Sequence, residues 1–151
     1  MEDQGSSSPT PSGSQRFVTF LLERRNYALP LDRIDSIQRM VAVSPIPGTP
    51  PWMPGVIDVH GTVLPVIDLR QFFNHPQRPW RLEDRLLIVF RKQRQVALVV
   101  DEVKEVLNLS PAELSASPDY LPGSVSAVVR RGKELLLILD LDMVLPDELP
   151  V

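Results

Sequence analysis

His60 and His75 are the only histidines in this chain, and it has no cysteine. A zinc-type site draws on clustered His and Cys at short spacings such as H-x-x-x-H. Two imidazoles, each beside a turn or a proline, do not make that pattern, so no metal is expected. Without cysteine there is neither a disulfide framework nor a thiol nucleophile. No G-x-S-x-G elbow sets a serine beside a base. Acids adjoin at Asp101 and Glu102, and again at Asp140 and Asp142. The second pair reads more simply as a helix cap with a first-turn acid that complements the helix dipole. The glycines are scattered rather than gathered into a phosphate loop, and no cofactor is expected. Basic residues cluster at Arg24 and Arg25, at Arg91, Lys92 and Arg94, and at Arg130, Arg131 and Lys133. All three clusters read as hairpin tips, where charge keeps a turn wet, and no aromatic residues interleave them to stack bases. Catalysis therefore has no candidate set, and an interaction module is what this inventory leaves.

The charge balance agrees. Sixteen Lys and Arg against nineteen Asp and Glu give a formal charge of −3, a poor match for nucleic acid or anionic membrane. Hydrophobic residues at 43% and charged ones at 23% suit one domain, or two small subdomains with a shared core. Residues 1–15 are rich in Ser, Gly and Pro and read as a disordered tail. They lack the basic and apolar regions of a signal peptide. The domain is expected over 16–146, with a short C-terminal tail over 147–151.

The elements that would position an interaction surface are mostly strands. Residues 55–73 read as a strand, a tight turn at His60-Gly61, a second strand and a short helix opened by Asp68. A weaker copy runs over 123–145, with a turn at Arg131-Gly132-Lys133 and Asp140 in the place of Asp68. The two copies suggest a duplication into two related half-barrels. Residues 17–23 and 27–30 form a first hairpin. Leu31, Ile34, Ile37, Met40 and Val41 recur at a helical spacing over barely two turns, and a strand over 34–43 stays open. Five prolines within 45–54, with Trp52 among them, make a packed crossover loop. Residues 85–90 and 96–100 are near-continuously apolar, as strands buried on both faces are. Ser110-Pro-Ala-Glu113 has the form of a capping box, opening a helix that Pro118 stops. About six or seven strands with frequent turn signals point to small barrels.

Gly55-Val-Ile-Asp-Val-His-Gly-Thr-Val-Leu-Pro-Val-Ile-Asp-Leu-Arg70 is similar to the signature G-V-x-N-x-R-G-x-V-x-P-V-x-D-L-R of CheW-like coupling proteins. Further pieces agree in order: Tyr27-Ala-Leu-Pro30 with Ile34 and Ile37, the prolines of 45–54, residues 99–106, and Leu-Asp140-Leu. The resemblance covers 16–145. It implies a mainly β fold of two intertwined five-stranded SH3-like barrels with short capping helices, and no catalysis. It implies a cytoplasmic adaptor between the tips of methyl-accepting chemoreceptors and the regulatory domain of a CheA-type histidine kinase. Nucleic acid, a small-molecule ligand and direct membrane insertion are not implied.

Carried over by position, Ile34 and Ile37 match apolar groove residues, Gly55 and Gly61 match the signature glycines, and Arg70 matches its terminal arginine. Two positions depart. Asp58-Val-His60-Gly61 stands for N-x-R-G, so the arginine is replaced by His60. Ser36 stands where many members carry the glutamate that pairs with that arginine. Losing both partners leaves no orphan charge, but an imidazole is mostly neutral at pH 7 where a guanidinium is not. The resemblance thus implies a divergent coupling protein, with partner contacts at Ile34, Ser36, Ile37, Gly55, Asp58, His60, Gly61 and Arg70. Alternatives are a scaffold of this fold that binds only a kinase or only another adaptor, and a small-barrel RNA-binding protein, whose affinity would fall steeply with salt.

Overall fold

A computed structural model describes residues 13–116 and 121–145. Most of the expected N-terminal tail, the C-terminal tail, Pro118 and Tyr120 lie outside the described residues. Strand β1 (Gln15–Leu22) begins at the last residue of that expected tail and turns into β2 (Arg25–Pro30) across Glu23 and Arg24. Both turn residues have positive φ, the requirement of a tight hairpin that follows strand twist. A 3₁₀ turn over Leu31–Arg33 leads into β3 (Ile34–Arg39) and the two-residue β4 (Ser44–Pro45). Next come β5 (Gly55–Val59), β6 (Thr62–Asp68) and the single helical turn α1 (Leu69–Phe72). The second half repeats the order. It holds β7 (Arg85–Arg91), β8 (Arg94–Val100), β9 (Glu102–Leu109), a two-residue β10 (Ser115–Ala116), β11 (Val125–Arg131), β12 (Glu134–Leu139) and α2 (Leu141–Val144).

These strands form two six-stranded sheets, ordered β10-β11-β12-β2-β1-β9 and β4-β5-β6-β8-β7-β3. One strand of each is only two residues long, which leaves five substantial strands per sheet. Place for place, β1 to α1 corresponds to β7 to α2, so the duplication read in the sequence is present in the backbone. Each half, however, lends its first hairpin to the other half's sheet. Two parallel pairings record the exchange: β12 lies beside β2, and β6 lies beside β8. Asp68 and Asp140 match closely, with φ of −93° at both and each carboxylate accepting the amide two residues on at 3.0 Å.

Double burial explains the unbroken apolar runs. In β7 and β8, Leu86, Ile88, Ala97 and Val99 point into their own barrel. Alternate residues Leu87, Val89, Leu98 and Val100 join a core shared with Phe20, Leu22 and Leu29 of the other sheet. On β12, Leu136 and Ile138 fill the opposite barrel, while Leu139 turns to the shared core. A strand with a core on each side has no polar face to show.

Two sequence expectations are corrected. Residues 34–39 are strand, not helix. Ile34 pairs with Val89 and Ser36 with Ile88, so Asp35 bulges out. The bulge turns a spacing of three into an effective spacing of two, so Ile34 and Ile37 lie on the same face of β3, beside Val89 and Leu87, without any helix. The Ser110 motif opens only a 3₁₀ turn over Pro111–Glu113, with the Ser110 N–H donating to Glu113 Oε1 at 2.8 Å.

Polar groups fasten the joints between the sheets. Arg70, only 4% exposed, ion-pairs with Glu23 at the first turn and with Asp101 at the β8–β9 junction. Arg78 links Asp101 to the fully buried Asp84, and Asp84 also accepts the Arg81 amide at 2.8 Å. Burial alone would raise the Asp84 carboxyl's pKa, but the hydrogen bonds and charges of Arg78 and Arg81 outweigh it and hold it below the usual range. Beside this cluster, Tyr27 stacks on Phe73 and its hydroxyl shares a 2.9 Å hydrogen bond with His75 Nε2. Burial, aided by the nearby positive charges of Arg25 and Arg70, lowers the pKa of His75 from its ordinary 6.5.

Three outcomes follow. A Cβ at Gly55 would lie 2.1 Å from the Ser44 carbonyl oxygen, so Gly55→Ala should cost about 1–3 kcal/mol in urea titration. Asp84→Ala leaves Arg78 with Asp101 alone and the Arg81 amide without its acceptor, and should cost about 1–3 kcal/mol by the same measurement. Because the unfolded chain binds the His75 proton more readily than the folded one, stability falls as pH drops below about 6.5. Thermal melts of His75→Gln should show a shallower decline there than the parent chain.

Candidate partner-binding surface

Ser36 and His60, distant in sequence, line one groove of about 330 Å³ in the second sheet. β3 supplies its Asp35, Ser36 and Gln38, and the β5–β6 turn supplies His60. The groove is polar and largely satisfied. Gln38 Nε2 donates to Ser36 Oγ at 3.1 Å, and Gln95 Nε2 donates to Asp35 Oδ2 at 2.6 Å. His60 stands exposed at φ 51°, the left-handed region that the hairpin demands. Asp58 braces this turn by accepting the Gly61 N–H at 2.8 Å, and Gly61 completes it at φ 88°. Among the described residues no three of His, Cys, Asp and Glu gather as metal ligands.

The other residues singled out in the sequence sit elsewhere. Ile37 is 48% exposed, whereas Ile34 packs half-buried against the shared core. Register sets both on the face of β3 that continues Val89 and Leu87 of β7. Gly55 is buried, and its missing side chain lets β4 close on β5. Arg70 is spent on Glu23 and Asp101 inside the molecule.

The first sheet contains the equivalent groove. Strand for strand, Glu105 occupies the place of Ser36 and Gly132 that of His60. The carboxylate lacking at Ser36 is thus present in the other barrel. Val106, 53% exposed, corresponds in the same way to Ile37. The signal for this second surface was in the sequence, in the duplication itself. Using it required the register of β9, whose bulge at Lys104 mirrors that at Asp35.

Comparison with known proteins places this geometry. A family model of the CheW-like domain matches residues 16–149. Chemotaxis protein CheW of Bacillus subtilis (strain 168) is 29% identical over 138 residues, covering 89% of this chain and 88% of its own. The protein of the same name from Klebsiella aerogenes is 25% identical, covering 89% and 83%. Protein PilI of Pseudomonas aeruginosa is 29% identical over 86 residues, covering 57% of this chain and 48% of its own. The crystal structure of scaffolding protein TtCheW from Thermoanaerobacter tengcongensis superposes with a TM-score of 0.81 at 24% identity, covering 89% and 95%. A family model that spans the double-barrel region, with relatives over nearly the same length, leaves one conclusion: the chain belongs to the CheW-like family of non-catalytic scaffold adaptors in chemotaxis signalling.

Proposed function

We propose that this protein is a cytoplasmic coupling adaptor, joining the tips of chemoreceptors to the regulatory domain of a CheA-type histidine kinase. The observation that carries this reading is the family match over 16–149 on an intact double-barrel fold. In the described residues no helix is long and apolar enough to cross a membrane, and the exposed Ile37 and the groove at Ser36 and His60 offer surface to a protein partner. The adaptor is a divergent one. Where resemblance to the family implies a charged pair, Ser36 and His60 offer a hydroxyl and an imidazole. A contact built on hydrogen bonds rather than a fixed guanidinium charge changes partner choice more than fold. Ile34, Gly55 and Arg70 support this surface from within by packing, close approach and ion pairing.

Calorimetry of the whole chain against a CheA regulatory domain and against a receptor cytoplasmic hairpin tests the reading. Micromolar binding to both is expected. The double change Ser36→Glu, His60→Arg should shift at least one affinity by about tenfold. Binding to neither partner would remove the coupling role, and binding to the kinase alone would make the protein a single-partner scaffold.

A further inference from the structure

Two of the three basic hairpin tips, far apart in sequence, meet in space. Strand β12 runs parallel to β2 with Leu136 opposite Asn26. The two strands therefore start at the same end of the sheet, and the turns that precede them are neighbours. Arg24 and Arg25 from one tip, with Arg130 and Lys133 from the other, rim an open cleft of about 640 Å³. All four are exposed, and among the described residues none of them forms an ion pair. Glu23 does not neutralise them, because its carboxylate is drawn away to Arg70. Glu134, on the cleft wall, accepts from Asn26 Nδ2 at 3.3 Å. The floor is apolar: Val128 and Leu137 face each other across the β11–β12 ladder, with Leu121 and Leu135 beside them.

The duplicated fold supplies a control. In the other sheet the positions equivalent to Arg24, Arg25, Arg130 and Lys133 are Gln93, Arg94, Asp58 and Gly61. One cation of the four is kept and one is an acid, so neither hairpin geometry nor solubility demands the concentration of charge in the first sheet. Unpaired like charges held together repel one another and cost stability. A mildly acidic chain that gathers them over an apolar floor has a surface that an anionic, partly apolar ligand would complete.

We infer that this cleft docks an acidic segment of a partner protein, with leucine-like side chains on the Val128–Leu137 floor and flanking carboxylates on the arginine and lysine rim. A peptide fits the lining better than nucleic acid does, because among the described residues no aromatic ring lines the cleft to stack a base. It fits better than a membrane, because a flat anionic surface meets the rim but not the recessed floor. The site is separate from the groove at Ser36 and His60, and the inference does not rest on the coupling role.

Fluorescence anisotropy with the full chain tests it, using a labelled peptide of about twelve residues in which Glu and Asp surround two leucines. Binding should be saturable and should weaken as salt rises. It should weaken by at least about tenfold in Arg24→Glu, Lys133→Glu and with a peptide whose leucines are serines, yet hold in Arg94→Ser at the equivalent end of the other sheet. The milder pair Arg24→Ser, Arg130→Ser should also lose affinity while melting no lower than the parent, which separates lost binding from lost folding. Unchanged affinity in the serine pair would overturn the proposal. So would equal binding of the leucine-free peptide, or tighter binding of oligouridylate or of phosphatidylglycerol vesicles through the same residues.

Discussion

The shared core between the two barrels is the constraint on which the remaining structure depends. Strands β7, β8 and β12 send alternate side chains into their own barrel and into this common layer. Each fully buried Val, Leu or Phe is worth roughly 1.5–3 kcal/mol relative to exposure, so neither barrel keeps its stability if the other is removed. Exchange of the hairpins makes the dependence covalent as well. The buried ion pairs sit where the chain passes between sheets: Asp101 lies between β8 and β9, and Glu23 in the turn of the first exchanged hairpin. Isolated buried charges would be costly there, but each carboxylate meets a guanidinium.

Local signals in the sequence were dependable and long-range ones were not. The hairpins, the His60-Gly61 turn and the caps at Asp68 and Asp140 rest on neighbouring residues, and such signals survive folding. The strand at 34–39 was ambiguous because one bulged residue, Asp35, shifts the inward–outward alternation and leaves two isoleucines at a helix-like spacing. Arg70 was legible as part of a motif but not as a buried ion-pair centre, since its partners lie 47 and 31 positions away. The basic tips looked like ordinary solvated turns for the same reason. Only the parallel pairing of β12 with β2 makes neighbours of them.

Duplication has allowed the two halves to keep one backbone while their surfaces diverge. The caps and bulges correspond closely, as the fold requires. Equivalent groove positions hold Ser36 in one barrel and Glu105 in the other, and equivalent rim positions hold Asp58 and Arg130. A pseudo-symmetric scaffold with unlike ends can engage different partners at once, which is what a linking protein needs.

The hairpin exchange also sets the order in which the molecule can be made. As the chain leaves the ribosome, β1 and β2 emerge first, but their neighbours β9 and β12 come from the second half. The second sheet likewise waits for β7 and β8 before β3 and β6 find their places. The second sheet has all its strands once β8 ends at Val100, but the first cannot close until β12 ends at Leu139, so β1 and β2 wait longest for their core. Closing the first sheet is then the later step, dominated by contacts between the two ends of the chain and slow for the molecule's length.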